Sequence, residues 1–212
     1  MYIPKPYRED DTATLVAFMR ANSFATLVSV LDGALWATHL PLVVDDRDGV
    51  VTLTGHVAKP NPHWHAFGAD ESLVIFNGPH AYVSPSLYEK GESVPTWNYV
   101  AVHAYGIPRA IAYEDAPERM QAMLEGMIDQ YDGAYQGQWQ SLSDKFRRGM
   151  MSGIVGFEMT VTRLEGKYKL SQNRSLADQH NVAQAMLERA DTVERAVGEI
   201  MQRRLKGSEK GA

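Results

Sequence analysis

The sequence contains no cysteine. Disulfide bonds, thiolate nucleophiles, iron–sulfur clusters and cysteine-based zinc sites are therefore excluded. Also missing is any run of about 18 to 20 apolar residues, the length that a membrane-spanning helix needs. The polar, proline-containing start MYIPKPYREDD lacks the apolar core of a secretory signal. We therefore expect a cytoplasmic protein with no membrane partner.

Positive charge is scarce: 21 Lys and Arg residues stand against 26 Asp and Glu residues, for a formal net charge of −5. DNA-binding proteins usually carry a basic face, because neutralising phosphates supplies most of the affinity. No convincing helix-turn-helix pattern is present. Direct DNA binding is therefore doubtful.

Several nucleotide-binding and catalytic motifs are absent as well. The sequence has no G-x-G-x-x-G after a strand, no Walker A motif and no G-x-S-x-G elbow. A Rossmann dinucleotide site and serine-hydrolase chemistry are therefore disfavoured. We assign no catalytic residue.

The middle of the chain favours short strands joined by tight turns. Asp32-Gly33 separates two apolar runs, and Asp-Gly is a preferred pair for a type I′ hairpin turn. The polar cluster at 45–49 predicts a second turn. Two further strands are predicted on either side of Pro79, at SLVIF and within GPHAYVSPS.

Helices are predicted near the two ends of the chain and after the main run of strands. Asp115 and Glu118 form a capping-box pattern with Pro117 in the first turn. We expect an α+β fold, mainly β with helices: an antiparallel six-stranded barrel with peripheral helices over residues 1–175. A C-terminal helical extension (176–212) is expected to pack on the barrel or on a dimer partner.

The segment GHVAKPNPHWH (55–65) concentrates histidine, lysine and asparagine. A metal site is disfavoured, because His63 and His65 diverge if the segment is helical and no carboxylate lies within it. Two interpretations stay open. One is ordinary polar packing. The other is phosphate capture by Lys59 and Asn61 at the start of a helix, where free N–H groups favour an anion.

A second polar and aromatic cluster lies at residues 96–99. Trp97, Asn98 and Tyr99 either pack in the barrel or contact a planar ring, with the two aromatic side chains flanking it and the amide hydrogen-bonding it. In the later run KLSQNRS, Gln172 and Arg174 either end in solvent or reach a phosphate or carboxylate.

Five separated motifs then carry a family resemblance: ATHLPL, TGHVAKPNPHW, GPHAYVSPSLY, VPTWNYVAVHAYG and GFEMTVTRLEGKYKLSQNRS. Together, and in this order, they resemble the PaiB-like family of negative transcriptional regulators that bind flavin mononucleotide (FMN). The similarity runs from MYIPKPY to about Arg204. It implies a split β-barrel that works as a homodimer, with FMN at the interface between the subunits.

The resemblance also implies which residues bind the cofactor. Thr38, His39 and Leu40 would lie along the isoalloxazine ring, and the strand with Thr54 and Gly55 would contact the ribityl chain or the ring. Lys59 would bind the phosphate. From the second subunit, Asn98 and its neighbours would approach the flavin, and the run with Gln172 and Arg174 would close the site.

Three functions follow from these observations. The first is a PaiB-like FMN-binding regulator. The second is a flavin-dependent oxidoreductase acting on a small molecule, since the cofactor itself carries the redox chemistry. The third is a haem-binding form of the same barrel, with one of the seven histidines as axial ligand. The sequence names neither a substrate nor a target gene.

Overall fold

The computed structural model describes residues 1–209 and contains ten strands and six α-helices. The strands are β1 (Arg8–Glu9), β2 (Phe24–Leu31), β3 (Ala34–Pro41), β4 (Val43–Arg47), β5 (Val50–Ala58), β6 (Ser72–Val83), β7 (Thr96–Gly106), β8 (Arg109–Ala112), β9 (Ile154–Thr160) and β10 (Arg163–Lys169). The helices are α1 (Thr12–Ala21), α2 (Pro117–Asp132), α3 (Gln136–Ser141), α4 (Asp144–Ser152), α5 (Leu176–Leu187) and α6 (Thr192–Glu209). Short 3₁₀ turns occur at Lys5–Tyr7, Pro62–Ala66, Pro85–Leu87 and Gly133–Tyr135.

The chain divides into two compact units, and strands β6, β7 and β10 contribute residues to both. The first unit combines Met1–Asp11, Asn77–Val102 and the chain from Glu165 onward. The second combines Thr12–Phe76 with His103–Leu164. Each unit is therefore assembled from segments far apart in the sequence.

The first unit has its strands in the order β1-β10-β7-β6, followed in the chain by helices α5 and α6. β1 pairs antiparallel with β10, with Arg8 opposite Lys167. The two helices pack closely at Gly198, where an added Cβ would lie 2.9 Å from the carbonyl oxygen of Ala183. Glycine is therefore needed there for close helix packing.

The second unit contains the β6-β2-β3 strands and a separate antiparallel sheet in the order β4-β5-β9-β8. β3 is an edge strand. In the second sheet, one face of β5 and β9 is fully buried and carries Leu53, Phe157 and Met159. Methionines of α2 cover the other face, where a Cβ on Gly156 would lie 2.7 Å from the sulfur of Met123. The core of this unit therefore lies on both faces of the sheet.

The predicted α+β fold is confirmed, and so are two of its local signals. Asp32 and Gly33 have φ of 52° and 77°, the positive pair that a type I′ turn requires, and they join β2 to β3. In β7, residues 98, 100, 102, 104 and 106 are buried, as the alternation predicted.

Other details differ from the expectation. The structure has ten strands in two sheets where six were expected. The predicted C-terminal helical extension consists of two helices, α5 and α6. β6 runs through Pro79 as one strand. Only residues 73–75 of β6 pair with β2, so the missing N–H of Pro79 removes no bond from that ladder.

The capping box predicted at Asp115 is wrong. Helix α2 begins at Pro117 and its N-cap is Ala116, which makes no side-chain cap. Asp115 therefore lies one residue too early to serve as the cap. No helix within residues 1–209 is long and apolar enough to cross a membrane. Residues 210–212 of the predicted C-terminal extension lie outside the described residues.

Candidate functional site

Thr38, on edge strand β3, is the centre of a polar cluster in the second unit. The side-chain amide nitrogen of Asn61 donates a hydrogen bond to the Thr38 hydroxyl at 3.1 Å. The same hydroxyl lies 2.7 Å from Nδ1 of His63. Asn61 also accepts from the backbone N–H of His63, so it caps the 3₁₀ turn Pro62–Ala66. The predicted residues Thr38 and Asn61 are thus in direct contact.

His63 extends this cluster into the core. Its Nε2 lies 2.8 Å from the hydroxyl of Ser29, which is in turn 2.7 Å from the hydroxyl of Ser72. The His63 side chain is fully buried, and burial lowers its pKa below the usual value. A neutral imidazole has one donor and one acceptor nitrogen, which suits a hydroxyl on each side. This chain of hydrogen bonds, Asn61–Thr38–His63–Ser29–Ser72, therefore links the Thr38 side chain of β3 to strands β2 and β6.

We expect the free energy of unfolding to fall as the pH drops below about 6.5, the usual histidine pKa. Burial lowers the pKa of both His63 and His56. The unfolded chain therefore takes up these two protons first, at up to about 1.4 kcal/mol per pH unit for each histidine. Urea unfolding between pH 7.5 and 5.5 measures the slope.

Replacement of His63 by glutamine should flatten this pH dependence, even if the variant is less stable at pH 7.5. The matched control is His65→Gln, because His65 is exposed on the same 3₁₀ turn. A double His56→Gln, His63→Gln variant with the wild-type slope would contradict the assignment of neutral, buried imidazoles.

Lys59 is held near the surface by an ion pair. Its Nζ donates to a carboxylate oxygen of Glu114 at 2.6 Å, and both side chains are about half exposed, at 45% and 56%. Glu114's pKa is lowered mainly by this hydrogen bond from Lys59. The Lys59 side chain is therefore reachable from solvent, although it already has an anionic partner.

The helix start predicted near Asn61 is present, but it opens only a short 3₁₀ helix with Asn61 as its N-cap. The structure has only the five-residue 3₁₀ turn Pro62–Ala66, and the side chain of Asn61 takes up one of its first N–H groups. So short a turn has no useful helix dipole. Any phosphate binding in this segment must therefore depend on the charge of Lys59.

The remaining predicted residues of the second unit lie in different environments, some exposed and some buried. His39 hydrogen-bonds through Nδ1 to the hydroxyl of Thr26, its cross-strand neighbour, at 2.8 Å and is exposed. Leu40 is buried in the core. Gly55 lets β5 approach the end of β3, because an added Cβ would lie 3.3 Å from a methyl carbon of Leu40.

Thr54 faces away from Gly55, since successive side chains of a strand point to opposite faces. It lines a cleft of about 510 Å³ in the second unit, together with charged residues of β4, α2 and β9. In this cleft a guanidinium nitrogen of Arg119 lies 3.8 Å from the carboxylate of Glu158. Thr54 and Gly55 therefore lie on one strand, as the resemblance implied, but they face opposite sides of the sheet.

Three predicted residues on β7 lie in the first unit. Trp97 is half exposed, and its ring lies about 6 Å from the rings of His80 and Tyr82. Asn98 is fully buried, and its amide donates to the hydroxyl of Ser171 at 2.9 Å. The Tyr99 ring lies near a lysine of β10. Trp97 and Tyr99 therefore share the more open face, while Asn98 has an interior partner.

The last two predicted residues follow β10 in the same unit. The side chain of Gln172 accepts from the backbone N–H of Leu170 at 2.7 Å and donates to the carbonyl oxygen of Tyr168. Arg174 lies over the ring of Tyr88, with its guanidinium carbon 4.0 Å from the ring centre. Both side chains therefore make contacts within the first unit.

Sequence reasoning missed several polar residues that the structure brings forward. Ser29 and Ser72 lie on strands that read as plain apolar runs, and no local spacing links them to His63. Lys167 and Lys169 lie within the last of the five family motifs. Their spacing of two residues on a strand could have indicated that they share one face of β10.

Comparisons with known proteins agree with this architecture. Residues 1–163 match the family described as "Putative FMN-binding domain". The chain is 39% identical over 207 residues to "Protease synthase and sporulation protein PAI 2" of Bacillus subtilis strain 168, covering 97% of this chain and 99% of that protein.

Two solved structures share the fold at low sequence identity. The flavocytochrome Anf3 from Azotobacter vinelandii superposes with a TM-score of 0.59 at 13% identity, covering 76% of this chain and 69% of that one. The FAD and heme binding protein from Mycobacterium smegmatis gives 0.56 at 14% identity, covering 77% and 73%. At such identities these likenesses establish the fold alone.

Proposed function

Because the chain belongs to the FMN-binding domain family matched over residues 1–163, as its motifs predicted, we propose that two copies hold FMN between them and act as a PaiB-type regulator. The family match carries this proposal. The motifs predicted this family and the match over residues 1–163 confirms it, and FMN is the cofactor that the family's description gives. The relative PAI 2 is named for protease synthesis and sporulation, and we propose a role of the same regulatory kind here.

The exposed edge strand β3 supports the dimer. Leu35 and Trp36 are 80% and 39% exposed, and β3 has a strand neighbour on one side only. An apolar edge strand open to solvent favours pairing or aggregation unless something covers it. A second copy of the chain would cover it. Thr38 and His39 follow on the same strand, which would put predicted flavin contacts at this interface.

The family resemblance implies specific contacts between this chain and the flavin. We propose that Thr38, His39 and Leu40 lie along the flavin ring. We propose that the strand carrying Thr54 and Gly55 contacts the ribityl chain or the ring, and that Lys59 and Asn61 bind the phosphate. The inner hydrogen-bonded chain through His63 supports the first group, because it orients Thr38 and Asn61. Further contacts would come from the second subunit. These are Trp97, Asn98, Tyr99, Gln172 and Arg174.

We further propose that residues 1–175 form the cofactor domain and that α5 and α6 form its C-terminal extension. The close packing of these two helices on each other at Gly198 supports their assignment to one helical extension, which lies within the first compact unit. A cytoplasmic location stays a prediction. Within the described residues, no specific observation favours the oxidoreductase or the haem-binding alternative over this proposal.

An absorption spectrum of the purified protein tests the central claim. We expect an oxidised-flavin spectrum, with the released cofactor running as FMN on chromatography, at about one FMN per subunit. Protein purified without colour should regain this spectrum on incubation with FMN. A colourless protein that cannot be reconstituted would contradict the proposal.

A further inference from the structure

Two lysines on β10 share one face of the first unit. Lys167 and Lys169 are two residues apart, so their side chains point to the same side of the strand. Lys167 is buried, with 8% of its surface exposed, and Lys169 is partly buried. The Lys167 ammonium group donates to the backbone carbonyl of Tyr2 at 3.0 Å and lies 5.2 Å from the centre of the Tyr99 ring.

Lys169 is bound in a similar way. Its ammonium group donates to the hydroxyl of Thr96 and to the backbone carbonyl of Trp97. Among residues 1–209, neither lysine forms an ion pair with a carboxylate. The partners of both ammonium groups are neutral oxygens and aromatic rings.

Within the described part of the chain, neither ammonium group is in direct contact with a carboxylate, since Glu165, on the same face of β10, is paired with the N-terminal amino group. Removing an ammonium group from water is costly unless an opposite charge compensates it. The two cations also repel each other: the pKa of Lys169 is lowered first by burial and then by the charge of Lys167. An anion bound between them would relieve both effects.

An exposed aromatic surface adjoins these lysines. Trp97, whose carbonyl binds Lys169, is 53% exposed, and β7 is the sheet neighbour of β10. The Trp97 ring lies 6.1 Å from that of His80 and 6.0 Å from that of Tyr82, and both of these residues are exposed as well. Ligand sites commonly combine flat apolar walls with a few placed charges.

We propose that Lys167, Lys169 and Trp97 form a binding site for a small aromatic anion, a planar ring that carries a carboxylate or a phosphate. The anion lies against the two ammonium groups, and the ring stacks on the indole. The inference rests on the proposed function in one respect, because Trp97 and Tyr99 are also predicted flavin contacts. The ligand would therefore be an effector or substrate that binds to the FMN-loaded protein.

The test is a titration of the full-length, FMN-saturated protein by isothermal calorimetry and tryptophan fluorescence. Benzoate and phenyl phosphate are the aromatic probes, with acetate and inorganic phosphate as probes that lack a ring. We expect at least one aromatic probe to bind about tenfold or more tightly than its counterpart without a ring. Comparing the two aromatic probes identifies the preferred anionic group.

Variants separate charge from structure. Lys167→Met and Lys169→Met should each weaken binding of the aromatic probe by about tenfold, the effect of losing a charged hydrogen bond. Lys169→Arg keeps the charge and should retain binding within a few-fold. Lys145→Met removes the same charge from an exposed helical position and should have no effect.

Each other outcome overturns the inference. The inference is wrong if neither aromatic probe binds saturably, or if binding survives both methionine substitutions. If the methionine variants lose FMN instead, or if the probe competes with FMN, the lysines belong to the cofactor site and the separate site is wrong, while FMN binding stands. If the protein takes up no FMN at all, the same titration on the FMN-free protein decides the inference independently.

Discussion

Replacement of Trp36 by glutamate is expected to convert the proposed dimer into monomers and to lower its FMN content at the same time. Trp36 lies on edge strand β3 and is 39% exposed. Aromatic residues of this kind often dominate an interface, and truncating one typically costs about 2 kcal/mol or more. A buried, unpaired carboxylate adds to that cost. The dimer dissociation constant should therefore rise by about 30-fold or more.

Light scattering coupled to size-exclusion chromatography over a range of concentrations measures this change, with FMN absorbance recorded on the same peak. Val193→Glu is the matched control, because Val193 is 40% exposed and gains the same charge on a helix. We expect it to stay dimeric and loaded with FMN. Dimers that persist in both Trp36→Glu and Leu35→Glu would show that β3 is not the interface.

A wild-type protein that is monomeric at all concentrations yet binds FMN would have a different meaning. The cofactor claim would stand, because it rests on the family. The contribution of a second subunit would fail, and with it the proposed roles of Trp97, Asn98 and Tyr99 across an interface. The two halves of the proposed function are therefore separable in one experiment.

The fold was predictable where the signal is local. A pair such as Asp32-Gly33 defines a hairpin by its own backbone preferences, and the alternation in β7 identifies its buried face, because strand side chains repeat every two residues. The two-residue strand β1 has no such pattern, and it exists only because Arg8 and Glu9 pair with β10. The count of ten strands therefore exceeded what the sequence alone could indicate.

The candidate site was predictable to a smaller extent, because its contacts join distant parts of the chain. Lys59 was identified from its position after a strand, but its partner Glu114 is 55 residues away. His63 was considered and disfavoured as a metal ligand, but its actual partners could not be named, because Ser29 and Thr38 lie on two distant strands. Residue types indicate what chemistry is possible, and only the pairing of strands decides which groups meet.

Replacement of Lys59 by alanine is expected to weaken FMN binding by about 10- to 150-fold, which corresponds to ~1.5–3 kcal/mol for a lost charged hydrogen bond. In the protein as described, the Lys59 ammonium group is paired with Glu114. A pair exposed to this extent is worth little, typically about 0 to 1 kcal/mol. A phosphate with more negative charge than a carboxylate can therefore displace Glu114 at small cost.

Riboflavin provides the sharpest control for this prediction, because it has the same ring and ribityl chain as FMN but no phosphate. Fluorescence titrations should show that Lys59→Ala leaves riboflavin affinity unchanged while FMN affinity falls. Glu114→Gln should keep or slightly raise FMN affinity, since it removes the competing carboxylate without touching the lysine. Equal losses for FMN and riboflavin would mean that Lys59 supports the ring or the local backbone. An unchanged FMN affinity would place the phosphate at another cation of the chain.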